Sequence, residues 1–404
     1  METSNITPTS GVVDNRKTIN IPKWIRILYV LFLFLSYFET YLTPFIGNST
    51  KFLMLGIIAT FILINHGKIT LNRMGKAFLI WFAFLCITAI WSSHANDTFR
   101  VHFLTLLASV LFIFVVSGTN FDENFIRLNL QGHYWFSFIF GLLSILFHRS
   151  YVNEVFVARQ VLTLFGQQND PNNCAAFLVI GIALALYSII YEKEKLLLNL
   201  FIIAVNGYAI LLTASRAGFV SIGLIAIVFV FLPNQTERIN ISNSIKKLMI
   251  VIIGVSVIAY IGLKILPQAS LDRIIMFDQY RGGTGRTEKW SYALELIKQR
   301  PIFGWGWGGY QFSDFGSTHN TFLTMWCDAG LVGLLLFVIP LLSMCIKALK
   351  SRNVLVIIIL ICGLFPSILI DAINKRFLWN AIILSIMLIS FHSETHENVT
   401  MWVK

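Results

Sequence analysis

Twelve apolar runs, separated mostly by short polar turns, govern what this 404-residue chain can fold into. They fall at about 25–43, 51–66, 77–92, 101–118, 133–148, 173–191, 196–212, 217–233, 247–266, 319–346, 353–370 and 377–392. A helix needs roughly 17–25 residues to cross about 30 Å of hydrocarbon, and most of these runs reach or approach that length. Inside a bilayer the backbone has no water to bond, so spanning segments must satisfy themselves as helices. Composition agrees: 56% of residues are hydrophobic and 13% charged, against roughly 45–50% apolar in soluble domains. The expected fold is an all-α integral membrane protein of about twelve transmembrane helices with one large extracytoplasmic loop. Residues 1–24 form an N-terminal tail without a signal-peptide core, and 25–266 carry nine spans. The loop occupies 267–318, three spans fill 319–392, and 393–404 is a C-terminal tail. The five cysteines lack metal-ligand spacing and read as small core residues.

An even number of spans puts both ends on one side, and the distribution of Lys and Arg says which. Loops on the N-terminal side carry seventeen of the 31 cations, and the opposite side carries seven. The remaining seven lie in 264–318. Both termini are therefore expected to be cytoplasmic, with the long loop outside. Basic residues held at the outer leaflet suit an anionic lipid headgroup.

Within the loop, Arg281-Gly-Gly-Thr-Gly-Arg286 is flexible and basic. Trp290, Ala293, Leu294 and Ile297 then recur at helical spacing, which predicts a short amphipathic helix over 287–299 lying on the interface or on the bundle. Pro301 to Tyr310 follows, where glycines allow tight turns and Trp305 suits either the interface or a sugar face. Ser317 or Thr318 is a plausible N-cap for the tenth span, which puts His319 at the membrane mouth, and Gly330 and Gly333 predict a bend.

Other polar groups interrupt the apolar runs. Thr213-Ala-Ser215-Arg216 is too short a break for a solvated loop, and its arginine either meets an anion or snorkels to the interface. Gly166 to Asn173 is a polar lead-in whose Asn172 and Asn173 can cap a helix or bind hydroxyls. Asp328, inside the tenth span, must pair or face an aqueous cavity. Asp371 and Asn374-Lys375-Arg376 read as a short exposed turn, and Trp24, Trp81, Trp91, Trp135 and Trp379 as interfacial belts.

These residues together resemble the O-antigen polymerase and ligase superfamily of bacterial envelope enzymes. Four stretches between about 158 and 346 carry the resemblance: Phe165 to Ala176; Leu211-Leu-Thr-Ala-Ser-Arg216-Ala-Gly; Gly285-Arg286-Thr-Glu-Lys-Trp290 with Pro301-Ile-Phe-Gly304-Trp-Gly306; and His319-Asn320 with Asp328-Ala-Gly330-Leu-Val-Gly333. The first half contributes only topology. The resemblance implies a membrane-embedded, GT-C-like glycosyltransferase in the cytoplasmic membrane. No metal or other cofactor is expected, since the external loop has no Asp-x-Asp pair or metal-ligand cluster. The implied donor is an undecaprenyl-diphosphate-linked oligosaccharide. Arg216 and Arg286 match the family's arginines and would neutralise the diphosphate, with Arg159 as a third cation. His319 would take the proton from the acceptor hydroxyl, and Asn320 would orient it.

Polymerase and ligase share these motifs and differ in acceptor: the next lipid-linked repeat for one, the lipid A core or a protein for the other. A polymerase of O-antigen, capsule or exopolysaccharide is favoured, with a chain-length regulator as a possible partner and no nucleic acid. A lipid-oligosaccharide flippase would need charges lining a central cavity in both halves. Here the first half is expected to be nearly free of intramembrane charge.

Overall fold

The computed structural model describes residues 19–67, 70, 72–151, 159–234, 241–265, 286–310, 316–395 and 399–402. Each of the twelve apolar runs coincides with a helix: α1 Lys23–Ile46, α2 Ser49–Ile64, α3 Arg73–Trp91, α4 Ala95–Ser117, α5 Glu123–Leu146, α6 Pro171–Glu192, α7 Leu196–Thr213, α8 Arg216–Phe231, α9 Ile241–Ile265, then, after the amphipathic α10 Arg286–Gln299, α11 Thr321–Lys350, α12 Val354–Leu369 and α13 Arg376–Thr395. Among the described residues, seven (α1, α3, α4, α6, α7, α11, α13) are long and apolar enough to cross a membrane, and α2, α8 and α12 are shorter apolar helices. The protein is thus a largely helical membrane protein.

Local chemistry sets the helix ends. Asp122, Asp170, Ser215 and Asn353 cap α5, α6, α8 and α12 by accepting backbone N–H groups of the first turn. Pro171 occupies the first turn of α6, where its missing N–H costs nothing. The expectation of a purely helical chain needs one correction. Between α5 and α6 lies a small antiparallel sheet, in the order β1 His148–Ser150, β2 Gln160–Leu164 and β3 Gln167–Gln168. This polar segment sits between two helix ends, where hairpin pairing satisfies its backbone.

Helix α6 is the most enclosed span, packed by α5, α7, α8 and α12. Trp81 and Trp379 are fully buried, with ring centroids 6.0 Å apart, so they belong to the core rather than to an interfacial belt. Both ends of the described chain meet one face. The Ile21 amide donates to Asp122 at 3.2 Å, Gln131 donates to the Met401 carbonyl at 2.9 Å, and the Trp402 indole donates to Ser188 at 2.9 Å. The sheet, the lead-in to α6, the α7–α8 break and the starts of α11 and α13 lie at helix ends of the opposite face.

Candidate active site

Helix α10 docks on the first half of α11. Ala293 and Ile297 are buried with Tyr310 and Cys327, and Leu296 packs beside them. Leu294, expected on that face, is exposed. The following loop is not free in solvent but pressed into the bundle. The Trp305 and Gly306 amides donate to the Cys327 and Asp328 carbonyls at 2.9 and 2.8 Å, and the Leu331 amide donates to the Pro301 carbonyl at 2.8 Å. The helical ladder of α11 is open here because Gly330 adopts φ 66°, ψ −171°. The bend expected at Gly330 is therefore present, and the loop backbone takes over the freed hydrogen bonds. A Cβ on Gly330 would lie 2.1 Å from the Ile302 carbonyl oxygen, and one on Gly304 2.5 Å from that of Asp328, so both positions require glycine.

Asp328 completes the clamp. Its carboxylate, 5% exposed, accepts the Gly308 amide at 2.9 Å and the Tyr310 amide at 3.0 Å. A buried carboxylate must find such donors, and here they come from the protein's own loop. Of the two outcomes expected of Asp328, a partner or an aqueous cavity, the loop supplies the first. Trp305 likewise donates to the Leu296 carbonyl at 2.9 Å, with the Arg300 guanidinium 4.1 Å from its ring centre. It fastens the end of α10.

The same framework positions His319. The Trp290 indole on α10 donates to the Thr318 carbonyl at 2.9 Å. The Thr318 hydroxyl accepts the Asn320 amide at 2.9 Å and pairs with Thr324 at 2.7 Å, and Thr324 donates to Asp371 at 3.2 Å. Asn320, rather than Ser317 or Thr318, caps α11, accepting the Phe322 and Leu323 amides at 3.0 Å. Its carboxamide oxygen is thereby committed to the helix. Between these anchors His319 has φ 55°, a left-handed conformation that costs a side-chain-bearing residue about 1–2 kcal/mol. Strain of that kind, held by surrounding bonds, gathers at functional sites.

His319 lines a polar cavity of about 530 Å³. Its walls are the end of α1 and start of α2 (Glu39, Lys51), His102 of α4, the lead-in to α6 (Asn169, Asp170, Asn173), and the α12–α13 turn with Asp371, Asn374, Lys375 and Arg376. That turn is not the exposed one expected. Arg376 is buried and paired with Glu39 through two bonds of 2.8 and 3.1 Å. Thr321 accepts the Ala372 amide at 2.7 Å, tying the turn to α11. Burial pushes the Asp371 carboxyl above its ordinary range, with the Thr324 hydrogen bond and Lys375 acting against this. The first half of the chain therefore supplies charged cavity walls as well as topology. A carboxylate within an apolar run, as Glu39 is, was the sequence signal for this.

The other expected site residues divide. Arg159 is 1% exposed and bonded to the Thr213 carbonyl at 2.8 Å and to Asn172 at 3.1 Å. The Asn172 side-chain oxygen also accepts from the Ser215 hydroxyl at 2.8 Å. These three stitch the sheet, α6 and the α7–α8 break together, so Arg159, Asn172 and Ser215 are framework rather than cavity residues. Arg216 opens α8 next to Ser215, and Arg286 opens α10 one turn before Trp290. Burial lowers the ammonium of neighbouring Lys289, and the Arg286 guanidinium adds to this. Neither arginine lines the cavity, but each belongs to an element attached to its wall. Asn173 does line it. Arg281 lies outside the described residues.

Comparison with known proteins accords with this arrangement. Residues 199–338 match the family model Wzy_C, described as O-antigen ligase. The match takes in the α7–α8 break, Arg286, the clamped loop, His319 and the Asp328–Gly333 bend. An uncharacterized protein of Haemophilus influenzae is 29% identical over 211 residues, covering 43% of this chain. The aligned region spans about half (51%) of that relative's own length. Across the helices and loop that build the His319 site, residues 199–338, this chain is thus similar to the O-antigen ligase family.

Proposed function

We propose that this protein transfers a glycan from an undecaprenyl-diphosphate-linked donor to a sugar hydroxyl at the outer face of the bacterial cytoplasmic membrane. The observation that carries this reading is His319, held in a strained conformation on the wall of a polar cavity that opens among apolar helices. In the proposed reaction His319 takes the acceptor hydroxyl proton as the oxygen attacks the anomeric carbon. The anomeric C–O bond to the diphosphate breaks, and the leaving group departs with that electron pair. The developing charge calls for cations. Lys51 and Lys375 line the cavity, while Arg376 is already engaged by Glu39. Arg216 and Arg286, on adjoining elements, are the proposed further clamp on the donor diphosphate. Their planar guanidiniums suit phosphate oxygens.

The favoured activity is polymerisation of surface-polysaccharide repeats, with transfer to lipid A core or protein as the alternative. In either case both termini are cytoplasmic and the cavity faces outward. His319→Ala separates the readings. Proton removal is worth roughly 10²–10⁴-fold. A polymerase variant should leave single repeats and few long chains, and a ligase variant should strand full-length polymer on undecaprenyl diphosphate. A transporter would instead trap the donor on the cytoplasmic leaflet. Unchanged long-chain polysaccharide in the His319→Ala strain would sink the assignment of the base.

A further inference from the structure

Asn173 presents an acceptor that the protein leaves unused. The Asp170 backbone amide donates to the Asn169 side-chain oxygen at 2.9 Å, which fixes that atom as oxygen. The atom of Asn173 facing it at 3.2 Å must then be nitrogen. The carboxamide oxygen of Asn173 is left buried with no partner, on a side chain 2% exposed that lines the His319 cavity. A buried carbonyl oxygen without a donor costs free energy, so such a group in a cavity wall points to a ligand that supplies one. On another wall Asp371 uses one oxygen for Thr324, and its Oδ1 is buried without a well-formed hydrogen bond, the Ile373 amide lying near the carboxylate. Both groups accept hydrogen bonds. Among the described residues no group of three or more His, Cys, Asp or Glu could hold a metal ion, whereas a neutral polyhydroxy ring supplies O–H donors in several directions.

We propose that Asn173 and Asp371 form a hydroxyl-reading subsite for a sugar ring beside His319. The subsite rests on the glycan-transfer reading and names where that transfer selects its sugar. It would hold ring hydroxyls by donation to the Asn173 carboxamide and the Asp371 carboxylate, with the polar walls of α6 and the α12–α13 turn fixing the ring against His319.

The test uses the full-length protein in nanodiscs and saturation-transfer NMR with free glucose, galactose, rhamnose and N-acetylglucosamine. At least one sugar should bind the wild type at millimolar concentration. Asn173→Leu should weaken that binding roughly three- to tenfold, the worth of one buried hydrogen bond. Asp371→Asn, which keeps an oxygen for Thr324, serves as the second variant should Asn173→Leu fold poorly. His319→Ala should bind the same sugar as wild type while losing transfer. No sugar binding to the wild type, or equal binding to wild type, Asn173→Leu and Asp371→Asn, overturns the subsite and leaves the transfer reading standing. Conversely, sugar binding lost in both subsite variants, with polysaccharide unchanged in the His319→Ala strain, would uphold the subsite and remove the assigned base.

Discussion

Replacing Asp328 by asparagine probes the clamp that fastens the loop to α11. The carboxylate accepts two amides, from Gly308 at 2.9 Å and Tyr310 at 3.0 Å, in a site closed to water. Hydrogen bonds to a charged acceptor contribute about 1.5–3 kcal/mol each, and neutral ones about 0.5–1.5 kcal/mol. Asparagine keeps one oxygen, turns an NH₂ against the other amide, and carries no charge. One bond is lost and the other weakened, so docking of 308–310 should lose about 2–4 kcal/mol. The bonds of Trp305, Gly306 and Leu331 to the backbone around the bend do not involve the side chain and should hold. The lesion is therefore local. Hydrogen exchange in nanodiscs should quicken at Gly308 and Tyr310 by roughly 30- to 1,000-fold, at about tenfold per 1.4 kcal/mol. Trp305 and Gly306 should change little. Transfer activity should fall too, because the Tyr310 hydroxyl, which donates to the Lys289 carbonyl at 2.8 Å, helps hold α10 and through it Thr318. Unaltered exchange at Gly308 and Tyr310 would refute the clamp.

Arg216→Lys and Arg286→Lys should each lower transfer about 10²–10³-fold, since a point ammonium cannot replace a planar fork on a diphosphate; near wild-type turnover of purified Arg286→Lys would return that residue to a solvated role. Glu39→Ala leaves Arg376 buried without its partner, and a cost of about 3 kcal/mol is expected, at the low end for buried pairs because Glu39 is partly exposed; thermal unfolding in detergent measures it, and an unchanged midpoint argues against the pair. Because the folded-state pKa of Asp371 is raised, the folded protein binds its proton more tightly than the unfolded chain. Stability should fall as pH rises from the ordinary carboxylate range through that raised value, and Asp371→Asn should remove this slope; an identical pH dependence in the variant would contradict it. For orientation, Asn48→Cys should label from outside intact cells and Ser351→Cys should not, and the reverse pattern would turn the proposed active site inward.

The apolar runs alone determined the helices, because a backbone in hydrocarbon has one economical way to bond itself and length then limits the spans. Local rules also found the Gly330 bend and the α7–α8 break, since a glycine and a short polar interruption act over a few residues. His319 was legible as a polar residue at a helix start. What the sequence could not decide was which polar groups meet. Asp328 needed a partner or water, and only the loop, folded back from about twenty residues upstream, supplies its two amides. Glu39 and Arg376 lie at opposite ends of the chain, and only packing of α1 against α13 makes them a pair. Arg159 read as a cation for the diphosphate and Asn172 as a cap or hydroxyl ligand, yet tertiary structure ties them to Thr213, Ser215 and each other. Asn173, one residue along α6 from Asn172, points instead into the cavity. A one-residue step turns a helix by about 100°, and that turn, set by the packing of α6, separates framework from site.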